Sequence, residues 1–180
     1  MVPKKIFLTK GVGVHKQKLR SFEQALRMAG IQVCNLVCVS SIFPPHCKLI
    51  PKIEGIKLIK PGVIQFAVMA KNETDEANRL ISSSIGLARP LKGAQYGYLS
   101  EHHAYGEDAK TSGDYAEDIA ASMLAETLGL TTFNADHAWD NRQEVYKSAK
   151  GIFTARNITQ TAVGIRGCWV TTVAAAILLE

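Results

Sequence analysis

Cysteine is scarce, with four in 180 residues: Cys34, Cys38, Cys47 and Cys168. No CxxC pair occurs, and the 34/38 spacing has no matching half, which argues against a disulfide framework or a zinc ribbon. The expectation is small buried thiols. Aromatic residues make up 7% of the chain and do not interleave with its lysines, so no stacking platform for nucleic acid is seen. No apolar run approaches the ~20 residues that cross a bilayer. The apolar stretch in the opening MVPKKIFLTKG is too short for a signal peptide, and a cytoplasmic location is expected. Acids are nearly missing from the first third: residues 1–60 hold eleven Lys or Arg against Glu23 and Glu54. The lysines are dispersed, as on a solvated face.

Several signatures of chemistry are missing too. There is no GxSxG nucleophile elbow and no HExxH. The GxG at Gly11–Gly13 lacks the third glycine and following acid of a dinucleotide fingerprint, so Thr9–Gly13 reads as a plain turn. His102 and His103 stand beside Glu101, with His137 as a distant third candidate ligand. Adjacent side chains on a strand point to opposite faces, which is poor geometry for one ion, and no metal is expected.

What is present fits one globular domain over residues 1–180. Apolar residues at 47% and charged residues at 21% are ordinary, and this length buries about 70% of the unfolded surface. Ile6–Leu8 reads as a short strand. His15–Ala29 reads as an amphipathic helix stopped by Gly30. Ile31–Ile42 reads as a buried strand, followed by an irregular connector over Lys48–Lys60 with one short strand. Val63–Ala70 is a strand. Asn72–Thr74 offers caps for a helix running to Leu87, with Ala77, Leu80, Ile81, Ser84 and Ile85 inward and Ser82–Ser84 as packing residues. Gln95–Glu101 alternates as a strand ending at Glu101. A helix runs from Ser112 or Asp114 to Leu128, and Trp139–Tyr146 reads as a short helix. Gly151–Ile158 and Cys168–Leu179 close the chain as strands. Strands mixed with helices give an α+β layered fold around a sheet core.

One segment departs from ordinary patterning. Asn35 lies inside an apolar strand that ends in Ser40-Ser41, and Pro44-Pro45 then forbids ladder donation. This is a place for strained, reactive backbone. The block Asn35-Leu-Val-Cys-Val-Ser40-Ser41-Ile-Phe-Pro-Pro45 closely resembles the processing site of pyruvoyl-dependent arginine decarboxylases. There the motif reads Asn, four mostly apolar residues, Ser-Ser-Ile, one residue, then Pro-Pro. The resemblance extends upstream through Ser21–Leu26 and Ala29–Ile31, and downstream to Gly97–Glu101.

The resemblance implies a four-layer αββα sandwich, self-cleaved between Ser40 and Ser41 into two chains. Ser41 Oγ attacks the Ser40 carbonyl, and elimination followed by hydrolysis leaves a covalent pyruvoyl group at position 41. Asn35 is implicated in this processing and in contacts near the prosthetic group. The pyruvoyl carbonyl forms a Schiff base with an amino-acid substrate, L-arginine, which leaves as agmatine and CO2. Glu101 is the proton donor, with its pKa raised by burial. Glu23 faces the substrate guanidinium, a role for which a carboxylate is suited. This sequence departs from family members that carry aspartate there. The resemblance also implies a homotrimer or a dimer of trimers with active sites between subunits, and no nucleic-acid or membrane partner. The alternatives are an unprocessed, non-catalytic relative acting as a binding or regulatory subunit, a decarboxylase for another amino acid, and a nucleic-acid-binding module using the basic first third.

Overall fold

The computed structural model describes residues 2–91, 95–130, 139–140, 145–148 and 151–180. They form a mixed α+β fold of three helices and two sheets. The first sheet has the order β2 (Asn35–Cys38), β5 (Ile64–Thr74), β11 (Trp169–Leu179), β1 (Lys5–His15), β4 (Lys48–Leu49). The second has the order β3 (Ile42–Phe43), β7 (Gly97–Tyr105), β6 (Leu80–Pro90), β10 (Gly151–Val163), β9 (Val145–Ser148), β8 (Trp139–Asp140). The helices are α1 (Lys18–Ala29), α2 (Lys52–Leu58) and α3 (Ala109–Thr127).

Core residues fall into three groups. Ile6, Val68, Ala174 and Ala176 of the first sheet meet Ile85, Leu87 and Leu99 of the second. Phe7, Ala67, Ala175 and Ile177 face the other way, against Ala25, Ala29 and Ile56 of α1 and α2. Ala88, Phe153 and Ala155 pack under Ala120, Ala121 and Leu124 of α3. Strand β11 is central and buried along nearly all its length, so its alanines serve both faces. Each large side chain buried here, such as Phe7 or Ile177, contributes on the order of 1.5–3 kcal/mol.

The expected turn at Thr9–Gly13 is instead the middle of β1, paired with β11 from Lys5↔Leu179 to His15↔Trp169. Its glycines serve close approach. A Cβ at Gly11 would lie 2.2 Å from the Ala25 carbonyl oxygen, and one at Gly13 would lie 2.0 Å from that of Ser21. Only bare backbone lets α1 settle this close to the strand. Gly30 ends α1 as expected, with φ at 81° and its N–H donated to the Arg27 carbonyl.

Five further expectations fail. The helix read over residues 72–87 is the end of β5, a turn and the strand β6. Because β6 is central and buried on both faces, it carries no polar–apolar alternation. Ile31–Ile42 is not one buried strand: β2 is mostly exposed, and the chain changes sheets before β3. The connector at 48–60 contains α2, which starts just after Pro51. The described parts of 139–146 are strands β8 and β9. Of the four thiols only Cys47 is buried, and Cys38 is exposed.

Candidate active site

The Ser40–Ser41 linkage is where the chain leaves one sheet for the other. Strand β2 runs parallel to β5, with Asn35 opposite Ile64 and Cys38 opposite Ala67. Val39 N–H still donates to the Ala67 carbonyl at 3.0 Å. Two residues later the chain is bound to the other sheet. Leu99 N–H donates to the Ser41 carbonyl at 2.7 Å, and Ile42 lies opposite Tyr98 of β7. Ser40 and Ser41 are thus held at both ends and belong to neither ladder. Within the gap, Ile42 N–H donates to the Ser40 carbonyl at 3.1 Å, closing a γ-turn on Ser41. Pro45 and His46 then turn the chain, with His46 at a φ of 60°.

A cleft of about 480 Å³ opens beside the linkage. Val39, Ser40, Ile42, Pro44, Pro45 and Phe66 line it, with Val2, Pro3 and Leu178 at its margin. Its walls are largely apolar, as ligand pockets are.

Glu101 lies on the same strand that anchors Ser41. Leu99 and Glu101 share one face of β7, two residues or about 7 Å apart. Glu101 is in the middle of β7 rather than at its end. That face looks toward β5. Leu99 joins the core between the sheets, the Glu101 carboxylate meets the Met69 backbone, and Tyr105 Oη donates to the Glu73 carbonyl at 3.2 Å. The residue as a whole is exposed, but desolvation of its carboxyl group raises the pKa above the ordinary glutamate value. The hydrogen bond from Met69 and the nearby His103 imidazole pull the other way without prevailing.

Two predicted residues lie elsewhere on the same chain. Asn35 is five residues of extended strand from Ser40, roughly 16 Å. It is exposed, and its Nδ2 donates to the Gly62 carbonyl at 3.1 Å. Glu23 lies on α1, turned away from the buried Ser21–Ala25–Ala29 face, and pairs with Arg27 one turn on. Helix α1 covers the opposite side of the first sheet from Leu99.

His102 and His103 point to opposite faces of β7. His102 Nε2 lies 2.9 Å from a Glu107 carboxylate oxygen, and its ring stacks 4.5 Å from Tyr115. Among the described residues no group of three or more His, Cys, Asp or Glu is arranged to hold a metal. His137 lies outside the described residues. The site contacts that sequence reasoning did not reach are backbone groups: the N–H of Ile42, of Leu99 and of Met69. No side-chain pattern announces them.

Position 41 is partly covered, its neighbours Ser40 and Ile42 line an apolar cleft, and its carbonyl is anchored to the strand that bears Glu101, whose pKa burial raises. A model of the family described as pyruvoyl-dependent arginine decarboxylase matches residues 5–180. The chain is 57% identical over 178 residues to a probable pyruvoyl-dependent arginine decarboxylase of Chlorobium luteolum, covering 99% of this chain and 98% of that one. It is 59% identical over 179 residues to a probable pyruvoyl-dependent arginine decarboxylase of Chloroherpeton thalassium, with the same coverage. It is 53% identical over 180 residues to pyruvoyl-dependent arginine decarboxylase 2 of Methanosarcina mazei, again at 99% and 98%. The chain belongs to the pyruvoyl-dependent arginine decarboxylase family, whose members are carbon–carbon lyases.

Proposed function

We propose that this protein cuts itself between Ser40 and Ser41 and then decarboxylates L-arginine to agmatine and CO2. The observation that carries the reading is the Ser40–Ser41 bond, suspended between two sheets and anchored at the Ser41 carbonyl to the strand that bears Glu101.

In processing, Ser41 Oγ bonds to the Ser40 carbonyl carbon and the carbonyl π electrons move to oxygen. The C–N bond then breaks, and Ser41 nitrogen takes the hydroxyl proton. The amide has become an ester with a free amine. Loss of the Ser41 Cα proton expels the Ser40 carboxylate from Cβ. Water replaces the nitrogen, which leaves as ammonia. The products are a chain of 40 residues and a chain of 140 residues capped at position 41. The pyruvoyl cap supplies a carbonyl electrophile and a sink for the electrons released with CO2.

The chain's own residues do the rest. The apolar cleft beside Ser40 and Ile42 accommodates the aliphatic part of a substrate and excludes water. Glu101, whose pKa burial raises, delivers a proton from its carboxyl group to the substrate α-carbon after CO2 departs. Glu23 binds the guanidinium group, and its pairing with the Arg27 guanidinium has the same chemistry. Asn35 serves processing with its side-chain amide. Both residues lie away from Ser41 on their own chain. Sites formed between subunits of a homotrimer, or of a dimer of trimers, would bring them in from a neighbouring copy.

The order α1, first sheet, second sheet, α3 corresponds to a four-layer αββα sandwich, formed by one domain of residues 1–180 and working in the cytoplasm. The test is to supply the purified protein with L-arginine and follow CO2 and agmatine, with ornithine and lysine as competitors. Agmatine release with arginine preferred is the expected result. Processed protein that leaves arginine untouched would contradict the substrate, and turnover of a shorter amine would point to the longer Glu23 side chain as the cause.

A further inference from the structure

The Ser40 carbonyl oxygen becomes an oxyanion when Ser41 Oγ adds to its carbon. Oxyanions of this kind need donors already in place. In the uncut chain, among the described residues, one donor is in contact with that oxygen: the backbone N–H of Ile42, at 3.1 Å. Accordingly, and resting on the self-cleavage reading above, we propose that Ile42 N–H is a catalytic donor for the processing step, holding the Ser40 oxygen as it gains charge.

Three features of the local backbone carry this. First, the donor has no competing structural duty. In the antiparallel pairing of β3 with β7, Ser41 O accepts from Leu99 N–H while Ile42 stands opposite Tyr98. The amide groups of Ser41 therefore face β7, and those of Ile42 face away from it. Second, both flanks of the reacting unit are tied down. Val39 is fixed to Ala67, and Ser41 is fixed to Leu99 at 2.7 Å. The turn between them cannot relax without breaking one of these bonds. Third, Ser41 is not among the residues with positive φ, so the closed turn is of the inverse type, the less strained of the two. It can persist as the resting geometry.

The step balances without any outside reagent. The new Oγ–C bond forms as the carbonyl π pair moves onto oxygen, where Ile42 N–H receives it. When the pair returns, the C–N bond breaks, and the hydroxyl proton ends on the Ser41 nitrogen. Asn35 is not the donor from the same chain, because it lies roughly 16 Å along β2.

The experiment removes this N–H in two ways and reads the rate at which newly made 180-residue chain yields the 140-residue fragment. In cell-free synthesis, the α-hydroxy analogue of isoleucine is delivered to position 42, replacing N–H by oxygen with little change of shape. Isoleucine delivered by the same suppressor tRNA is the reference. Ile42→Pro is the second variant. It gives up no ladder bond, although it also restricts Ser41. Loss of one oxyanion donor is expected to slow cleavage about 10²-fold. The hydroxy-acid chain cutting at the reference rate overturns the proposal, and it does so even if Ile42→Pro is slow, because the restriction of Ser41 then explains the proline. A slowed hydroxy-acid chain supports it. Should the hydroxy-acid chain not fold, Ile42→Pro cutting at the reference rate overturns the proposal. A reference protein that never cuts defeats the self-cleavage reading itself, a distinct result.

Discussion

The chain contains two serine runs, and they could hardly be used more differently. Ser82, Ser83 and Ser84 are fully buried in β6, and every hydroxyl has a partner. Ser83 meets the Thr172 hydroxyl at 2.8 Å across the two sheets. Ser84 meets Ser112 of α3 at 2.7 Å and Thr159 of β10 at 2.9 Å. Ser40 and Ser41 sit at the opposite extreme, in a gap between ladders, where backbone carbonyls rather than hydroxyls are held. On the proposed reading, reactivity follows from how the peptide unit is suspended, and the serine hydroxyl by itself decides nothing. In β6 the same residue type supplies small volume and paired polar atoms where two layers approach closely.

The largest expected effect breaks this contrast at its reactive end. Ser41→Ala removes the attacking oxygen, so the chain stays whole at 180 residues and produces no agmatine. Denaturing electrophoresis and a product assay check both. Next, Glu101→Gln keeps the cleavage but lowers decarboxylation about 10²–10⁴-fold, the usual worth of a general acid. In the unaltered protein, decarboxylation falls as pH rises through the raised Glu101 value, because the proton to be donated is lost. The pH profile of kcat checks this. At the structural end, Ser84→Ala cuts and turns over normally but takes the partner from the buried Ser112 hydroxyl. Thr159 keeps its bond to Asn157, so the loss falls on Ser112, and stability drops by about 1 kcal/mol, read from the urea midpoint.

The smallest effect concerns α3. Burial, with Asp114 and Asp118 nearby, raises the Glu117 pKa despite a 2.9 Å hydrogen bond from Asn157. The folded chain therefore binds more protons than the unfolded one between the ordinary glutamate value and the raised one. Stability contributed by Glu117 is full below that window and lost as pH climbs through it. Glu117→Gln removes this loss, so its melting temperature gains on the native one as pH rises above the ordinary glutamate value.

The family was legible because its signature is written largely in contiguous residues. The Asn35–Pro45 block and Glu101 carry recognisable side chains at fixed spacing. Several strands and two of the helices were legible for the same reason, from periodicity and from Gly30. What failed was structure set by partners far away in sequence. Gly11 and Gly13 read as a turn because nothing local reveals that α1 must lie against them. Strand β6 read as a helix because burial on both faces erases alternation. The switch of sheets at Ser40–Ser41 depends on pairing with Ala67 and Leu99, neither of which is near in sequence.

The most direct measurement is the intact mass of freshly purified protein, with and without a carbonyl-trapping hydrazine. Two species are predicted, one of residues 1–40 and one of residues 41–180, and only the second gains the hydrazine adduct. A single unbroken polypeptide that takes up no label would contradict the account.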